Sequence, residues 1–127
     1  MTIYSTFSPT SLYAGDFPRM TSPVTVAAGA NAAGAQLPRG TLLGRVTASG
    51  KYVPSVKGAS DGSQNPVAIT AASVDASAAD QGIPAYFSGH YEGRQMNIDA
   101  SWTIAQVETA LRVGNTMLFV NDGGTIA

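Results

Sequence analysis

A serine motif is the first feature of this chain that could do chemistry. Gly58-Ala59-Ser60-Asp61-Gly62 matches Gly-x-Ser-x-Gly, which in hydrolases joins a buried strand to a helix and exposes the serine at a sharp turn. Here residues 65–66 are Asn-Pro, and the residue before a proline avoids the helical backbone region. The motif therefore predicts a surface turn. A small hydrolase stays an alternative, and it requires Ser60 within hydrogen-bond reach of His90.

Acidic side chains are the second candidates, for metal binding or acid–base catalysis. Asp61, Ser63 and Asn65 imitate the first ligands of a calcium loop, but Pro66 and Ala72 stand where that loop needs glycine and glutamate. The other candidate carboxylates are Asp75, Asp80, Glu92 and Asp99. Each adjoins a turn residue or a helix start, where carboxylates usually cap backbone N–H groups. We expect neither a metal nor a cofactor.

His90 and Trp102 are the remaining residues of interest. The chain has no cysteine and a single histidine, so it lacks the ligands of an ordinary zinc site. The sequence around His90 predicts an exposed residue near a strand end, with a structural or interface role. A pH-sensitive contact is a further use to which histidine in general is suited. Trp102 has no second aromatic residue at a suitable spacing, so we expect it to pack on the core or at an interface. These residues indicate that the protein is not an enzyme.

The composition limits the partners. A net charge of −1, with dispersed basic residues, argues against nucleic acid, because phosphate binding needs a basic surface. The N-terminus lacks the basic and apolar regions of a signal peptide, and no apolar run approaches the roughly 20 residues of a membrane span. We therefore expect one domain, no nucleic-acid or membrane partner, and a cytoplasm-like compartment unless the protein travels on a particle.

The elements that must position these residues are mostly short strands separated by glycine-rich turns. Apolar residues alternate with polar ones, the period of half-buried strands. Strands are predicted near residues 24–27, 42–47, 52–53, 67–71, 83–87, 95–99 and 117–120. We expect turns at residues 48–51, which make a hairpin, and at residues 88–89. One face of the strand at 42–47 is predicted to carry Leu42, Gly44 and Val46, and the other face carries the residues between them. In the strand at 95–99, Met96 and Ile98 are predicted to point inward.

One helix is predicted near the C-terminus. Thr103 and Gln106 match a capping box, and Glu108 and Arg112 form an i,i+4 pair on the solvent side. Its apolar stripe consists of Ile104, Val107 and Leu111. Gly114 fits the left-handed residue that ends a helix. The fold class is therefore α+β and mostly β, a small mixed β domain with irregular strands, one short C-terminal helix and an extended N-terminal arm.

Residues 1–22 form the predicted arm, and residues 23–127 the β-rich domain. The arm spaces large side chains among Ser, Thr, Pro and Gly with no helical or strand period; these are Tyr4, Phe7, Leu12, Tyr13 and Phe17. Such a segment cannot bury its apolar groups locally. It is either a floppy terminus or an arm that orders on a partner by adding a strand to a sheet edge, and the aromatic residues favour the second.

The order of these parts resembles the lambda-type head decoration proteins of tailed phages over residues 37–120. The likeness rests on PRGTLLGRV at 38–46, GKYV at 50–53, the Asp61-Gly62 turn, PVAI at 66–69, YFSGHY at 86–91 and the final helix and strand. It implies a mixed α/β capsid-stabilising protein of the virion, assembled in the host cytoplasm. This chain differs from shorter members in its longer N-terminal segment and in the small-residue loop at 29–36.

The resemblance also implies partners and a site. Members form homotrimers that bind the major capsid protein at three-fold and quasi-three-fold sites of the expanded head and stabilise it against DNA pressure. The capsid-binding arm then comprises Thr2, Ile3, Tyr4, Ser5, Thr6 and Phe7. Deleting residues 1–19 is expected to leave the trimer folded and to abolish capsid binding. The alternative is a virion receptor- or glycan-binding module. Such a module needs exposed aromatic residues around a pocket, and Trp102 is the only candidate for one of them.

Overall fold

The computed structural model describes Leu12 and residues 18–121. Of these residues, 36% are in strands and 12% in helices, which confirms a mostly β domain with one short helix near the C-terminus. The elements in chain order are β1 (Thr21–Val26), β2 (Leu42–Arg45), β3 (Tyr52–Pro54), β4 (Pro66–Thr70), β5 (Gln81–Tyr86), β6 (Ser88–Glu92), a 3₁₀ helix (Gly93–Gln95), α1 (Ile104–Val113) and β7 (Met117–Asn121).

The first five strands close into a small barrel in the order β1-β3-β2-β4-β5. The predicted hairpin is confirmed as the antiparallel β2–β3 pair. β1 closes the barrel, because it pairs antiparallel with β5 along its whole length and parallel with β3 at Val26 and Tyr52. One core cluster consists of Val24, Val26, Leu37, Leu43, Ala68, Val74, Ala76, Ile83 and Ala85. These side chains are mostly small, which suits a narrow closed sheet.

A second layer covers one side of the barrel. It consists of α1 and the parallel pair β6–β7. The second core cluster contains Leu12, Leu42, Ile69, Tyr86, Tyr91, Val107, Leu111, Leu118 and Val120. Leu42 and Leu43 belong to different clusters, so β2 is buried on both faces. The predicted alternation is therefore correct, but the expectation of a half-buried strand is wrong, because the second layer covers the face that would otherwise meet solvent.

The helix is confirmed with its capping box. The N–H of Gln106 donates to the Thr103 hydroxyl at 3.2 Å, and the N–H of Thr103 donates to the Gln106 side chain at 3.0 Å. The left-handed residue is Asn115 (φ +56°), not Gly114 (φ −80°). The N–H of Thr116 donates to the Leu111 carbonyl, as in a Schellman ending. Asparagine tolerates this conformation, so the helix ends one residue later than Gly114 predicts.

Two further expectations are wrong. Residues 95–99 form no regular strand: a 3₁₀ helix occupies Gly93–Gln95, and Asn97 makes only an isolated bridge to Thr41. Met96 and Ile98 nevertheless pack against the core as predicted. Residues 88–89 are not a turn, because β6 begins at Ser88 and leaves the barrel to pair with β7. Gly89 (φ +134°) permits this path, since a Cβ there would collide with the Tyr91 ring.

Candidate binding surface

The predicted capsid-binding residues Thr2 to Phe7 lie outside the described residues, but Leu12 shows where the segment joins the domain. Its side chain is only 7% exposed and belongs to the second core cluster. Its carbonyl accepts a hydrogen bond from the N–H of Glu92 at 2.6 Å. Gly40 (φ +93°) leaves room for it, because a Cβ there would lie 3.3 Å from a Leu12 methyl carbon. Leu12 is thus a fixed point of the N-terminal segment.

This fixed point limits the reach of the predicted site. An extended chain spans at most about 3.5 Å per residue. A stretch of five residues therefore spans at most about 17 Å, and a stretch of ten residues at most about 35 Å. Any surface that the predicted site contacts must lie that close to the C-terminal end of β6.

A second contact holds the same segment at the opposite end of β6. The Ser88 hydroxyl donates to the Pro18 carbonyl and accepts from the N–H of Met20, both at 2.8 Å. The N–H of Phe87 donates to the Met20 carbonyl at 2.9 Å. The chain is therefore tied to β6 at Glu92 through Leu12 and at Ser88 through Pro18.

The C-terminal end of the described chain lies at the same place. Glu92 is paired with Asn121 in the parallel β6–β7 ladder, so Leu12, Glu92 and Asn121 lie side by side. Glu92 is 2% exposed, and its Oε1 has no hydrogen-bond partner among the described residues. The expectation that Glu92 caps the turn after it is wrong, since its side chain makes no cap at the 3₁₀ helix.

Glu108 and Arg112 have a role that the sequence pattern missed. They form the predicted ion pair at 2.9 Å, but they face β7. The N–H of Val120 donates to Glu108 at 2.8 Å, and the Arg112 guanidinium donates to the Leu118 carbonyl. Arg112 also lies 4.0 Å from the centre of the Phe119 ring. Nothing in the local spacing distinguishes an ion pair that covers a strand edge from a solvated one.

The β7 edge of the β6–β7 sheet is therefore engaged within the described chain, and the β6 edge is engaged at its Glu92 end. Successive residues of a ladder direct their backbone groups to alternate sides. The outward groups of β7 at Leu118 and Val120 meet α1 side chains, and the outward N–H of Glu92 in β6 meets Leu12. Proteins cover edges in this way to prevent unwanted strand pairing. These parts of the sheet therefore offer a poor template for a foreign strand.

Of the four candidate carboxylates outside the serine motif, all except Glu92 cap backbone N–H groups as predicted. Asp75 accepts from the Ser77 N–H, Asp80 from the Ala28 N–H and Asp99 from the Ser101 N–H, at 2.8–3.0 Å. Hydrogen bonds from the Ser77 hydroxyl and N–H lower the pKa of Asp75 below its usual value. The pKa of Asp80 is lowered first by its hydrogen bond with Lys51, 2.6 Å away. Their ionised oxygens therefore accept hydrogen bonds that fix the loops.

The serine motif lies in the loop between β3 and β4, as predicted, and Ser60 is exposed. Neither a preceding buried strand nor a following helix adjoins it, so the elbow geometry of a hydrolase is missing from this described loop. Asp61 accepts hydrogen bonds from the Ser63 N–H at 3.0 Å and hydroxyl at 2.5 Å, and these bonds lower its pKa. The calcium-like spacing therefore belongs to a turn. Within the described part of the chain, no group of three or more His, Cys, Asp or Glu side chains could hold a metal ion.

His90 and Trp102 line different surface features. His90 is partly buried at the centre of β6, not near a strand end, and it lines a cleft of about 460 Å³ with Glu108 and Asn121. Trp102 packs against the second core cluster, as expected. It also lines a groove of about 390 Å³ whose other lining residues are Lys57, Ala105, Gln106, Thr109 and Ala110. That lining contains no second aromatic residue.

The described helices include none with the length and apolarity needed to cross a membrane. No curated protein matches the chain significantly. The family model of bacteriophage lambda head decoration protein D matches residues 5–116, which covers most of the 127 residues and includes part of the N-terminal segment. The resemblance drawn from the sequence is thereby confirmed. The chain belongs to the bacteriophage lambda head decoration protein D family, and its role is that of a structural component of the virion that decorates the phage capsid.

Proposed function

We propose that the protein is a cement protein that forms homotrimers on the outer surface of the expanded head, at three-fold and quasi-three-fold sites, and stabilises the shell against DNA pressure. It binds the major capsid protein through Thr2 to Phe7 and performs no catalysis. Trimers assemble in the host cytoplasm and dock on the maturing head. The observation that carries this proposal is the tether at Leu12, which ties an aromatic-rich segment to the core of the domain.

The direction of strand addition follows from the edges of the small sheet. Because α1 covers β7 and Leu12 occupies the Glu92 end of β6, these parts of the sheet edge are closed to a capsid strand. The N-terminal residues must then supply the strand, with backbone hydrogen bonds for affinity and Tyr4 and Phe7 for side-chain pockets. Residues 1–11 precede the tether, so we propose that they are the part of the 1–22 arm that reaches the shell.

Trimerisation suits a lattice of three-fold sites. Three arms on one trimer bind with a high effective concentration after the first arm has docked, which raises the overall affinity by about 10²–10⁴ over a single arm. A small domain also buries more apolar surface in an oligomer than its own core allows.

The test is a shorter deletion than residues 1–19. Removing residues 1–19 would also remove Leu12 from the core, so lost binding would have two explanations. Deleting residues 2–7 keeps the tether. We expect this variant to melt within about 2 °C of the full chain, a difference well below 1 kcal/mol for a domain of this size. It should no longer co-sediment with expanded shells.

Point variants separate side-chain pockets from backbone pairing. Tyr4→Ala with Phe7→Ala should weaken shell binding at least about 10-fold, because buried aromatic anchors usually dominate an interface. Ser5→Ala with Thr6→Ala is the matched control and should bind nearly as the full chain does. Shell binding by the 2–7 deletion equal to that of the intact protein would overturn the assignment of the arm.

A further inference from the structure

The outward face of α1 carries no charge. Ala105, Thr109 and Val113 are exposed at i, i+4 and i+8, while the two charged residues of the helix are turned toward β7. A helix face that meets only water normally carries charged and polar residues. This face instead contains the groove beside Trp102 and, at its end, Val113.

Large apolar side chains are exposed at the C-terminal end of α1, at the start of β7 and just before β1. Val113 is 78% exposed, Met117 55% and Met20 65%; these are three of the four exposed large hydrophobic residues in the described chain. Met20 and Met117 are close, because the N–H of Met20 binds Ser88 and Ser88 is paired with Met117. A cluster of this kind on a small domain marks an interaction surface.

We propose that these two regions are the two sides of the contact between copies of this chain: Val113 and Met117 of one copy dock in the groove beside Trp102, Ala105 and Thr109 of the next. This inference rests on the proposed homotrimer. A cyclic trimer needs a heterologous contact, in which two different patches of the same molecule meet. The chain carries such a pair, an apolar protrusion and an apolar groove, at opposite ends of a helix about 15 Å long.

Charge and hydrogen bonding favour a second copy as the occupant. Lys57 is the only charged residue that lines the groove, so the contact would bury almost no charge, and a net charge of −1 gives little repulsion between copies. Methionine side chains adapt to shallow apolar surfaces. The buried Nε1–H of Trp102 has no acceptor among the described residues, although such groups are usually paired, and a docked copy can bring one.

The experiment measures the oligomeric mass of the full chain by light scattering and native mass spectrometry over a concentration series. Val113→Glu and Met117→Glu should each weaken trimer formation about 100-fold or more, because a carboxylate would be buried without a partner. Ala105→Lys should do the same from the groove side. Thr25→Glu adds an equal charge at an exposed site on the barrel and should leave the trimer unchanged.

A heterologous contact makes a stricter prediction. In the Val113→Glu, Ala105→Lys double variant every contact brings a glutamate against a lysine, so the trimer should return to within about 10-fold of the original affinity. Trp102 is the only tryptophan of the chain, so its fluorescence should shift with trimer formation and remain at the monomer value in Val113→Glu.

Two outcomes would overturn this interface, and each leaves a different part of the proposed function standing. If the unaltered protein is a trimer and Val113→Glu, Met117→Glu and Ala105→Lys are trimers at the same concentrations, the contact lies elsewhere and the homotrimer stands. If the unaltered protein is a monomer at every concentration, both the interface and the homotrimer fail. Its sedimentation with expanded shells still tests capsid binding independently.

Discussion

At the scale of single residues, Gly44 and Gly58 show how differently two glycines are used. A Cβ on Gly44 would collide with the backbone of Ser63, which packs against β2 at the irregularity in its pairing with β4. A Cβ on Gly58 would meet nothing within 4 Å. We expect Gly44→Ala to lower the free energy of unfolding by about 2–3 kcal/mol, as overpacking does. Gly58→Ala should change it by less than about 1 kcal/mol. Urea denaturation of both variants checks this, and equal stability would contradict it.

Loop carboxylates act at the same scale and make stability depend on pH. Hydrogen bonds from Ser77 and Asn31 stabilise the ionised form of Asp75, so its folded pKa is below the unfolded value of about 3.9. The contribution is therefore complete above that unfolded value and is lost as the pH falls through the lower folded pKa. We expect the melting temperature of the protein to fall below about pH 4.

Asp75→Asn is the variant that tests this dependence. It should be less stable at pH 7 and lose less on acidification to pH 2.5, because the neutral amide does not titrate. Ser77→Ala removes the hydroxyl that contributes most to the lowered pKa of Asp75 and should make stability depend less steeply on pH in the same range. If both variants lose stability on acidification as steeply as the original protein, Asp75 does not contribute to the pH dependence of stability.

At the scale of elements, α1 is both a core helix and a cover for a strand edge. Glu108→Ala leaves the N–H of Val120 without its acceptor, and a lost partner of this kind costs about 1–3 kcal/mol. Glu108→Gln keeps an acceptor and should retain most of the stability. Because the alanine variant also opens the edge of β7, we expect faster aggregation on heating. Thermal unfolding with light scattering measures both effects, and equal behaviour of the two variants would refute the edge role.

At the scale of the whole molecule, Leu12 couples the N-terminal segment to the core of the domain. Leu12→Ala removes a buried side chain from the cluster that contains Leu42 and Tyr91, and such changes cost about 2–4 kcal/mol. Ser22→Ala, at an exposed position of the same 1–22 segment, should cost less than about 0.5 kcal/mol. Denaturant midpoints test the difference. A Leu12 variant as stable as the Ser22 variant would mean that the segment does not anchor in the core.

This coupling bears on capsid binding through the proposed arm. The proposal places Tyr4 and Phe7 on the shell, and the segment starts from Leu12, which is held by β6 and by the space over Gly40. A loosened tether lets the arm start from many positions, and effective concentration falls as the linker lengthens. The Leu12 variant should therefore bind shells more weakly than its loss of folded protein accounts for.

Features that depend on neighbours within a short stretch of chain could be predicted from the sequence. The capping box of α1, its apolar stripe, the β2–β3 hairpin and the turn at the serine motif all follow from local spacing, since each is completed by residues one to ten positions away. The sequence also shows directly that there is no cysteine and no second histidine, so the ligand sets of an ordinary zinc site are missing. The order of these parts was sufficient to identify the family, which the family model confirms.

Which surfaces those elements cover depends on how the layers pack, and it could not be predicted from the sequence. Period-two alternation does not reveal that β2 is buried on both faces, because the covering layer comes from β6, β7 and α1, far along the chain. Local spacing shows that Glu108 and Arg112 can pair. Their hydrogen bonds to the backbone of β7 depend on where α1 packs. Leu12 looks like one more large residue of an irregular arm, and it becomes a core residue because Gly40 leaves space for it. Burial joins residues distant in sequence, and no local pattern records that pairing.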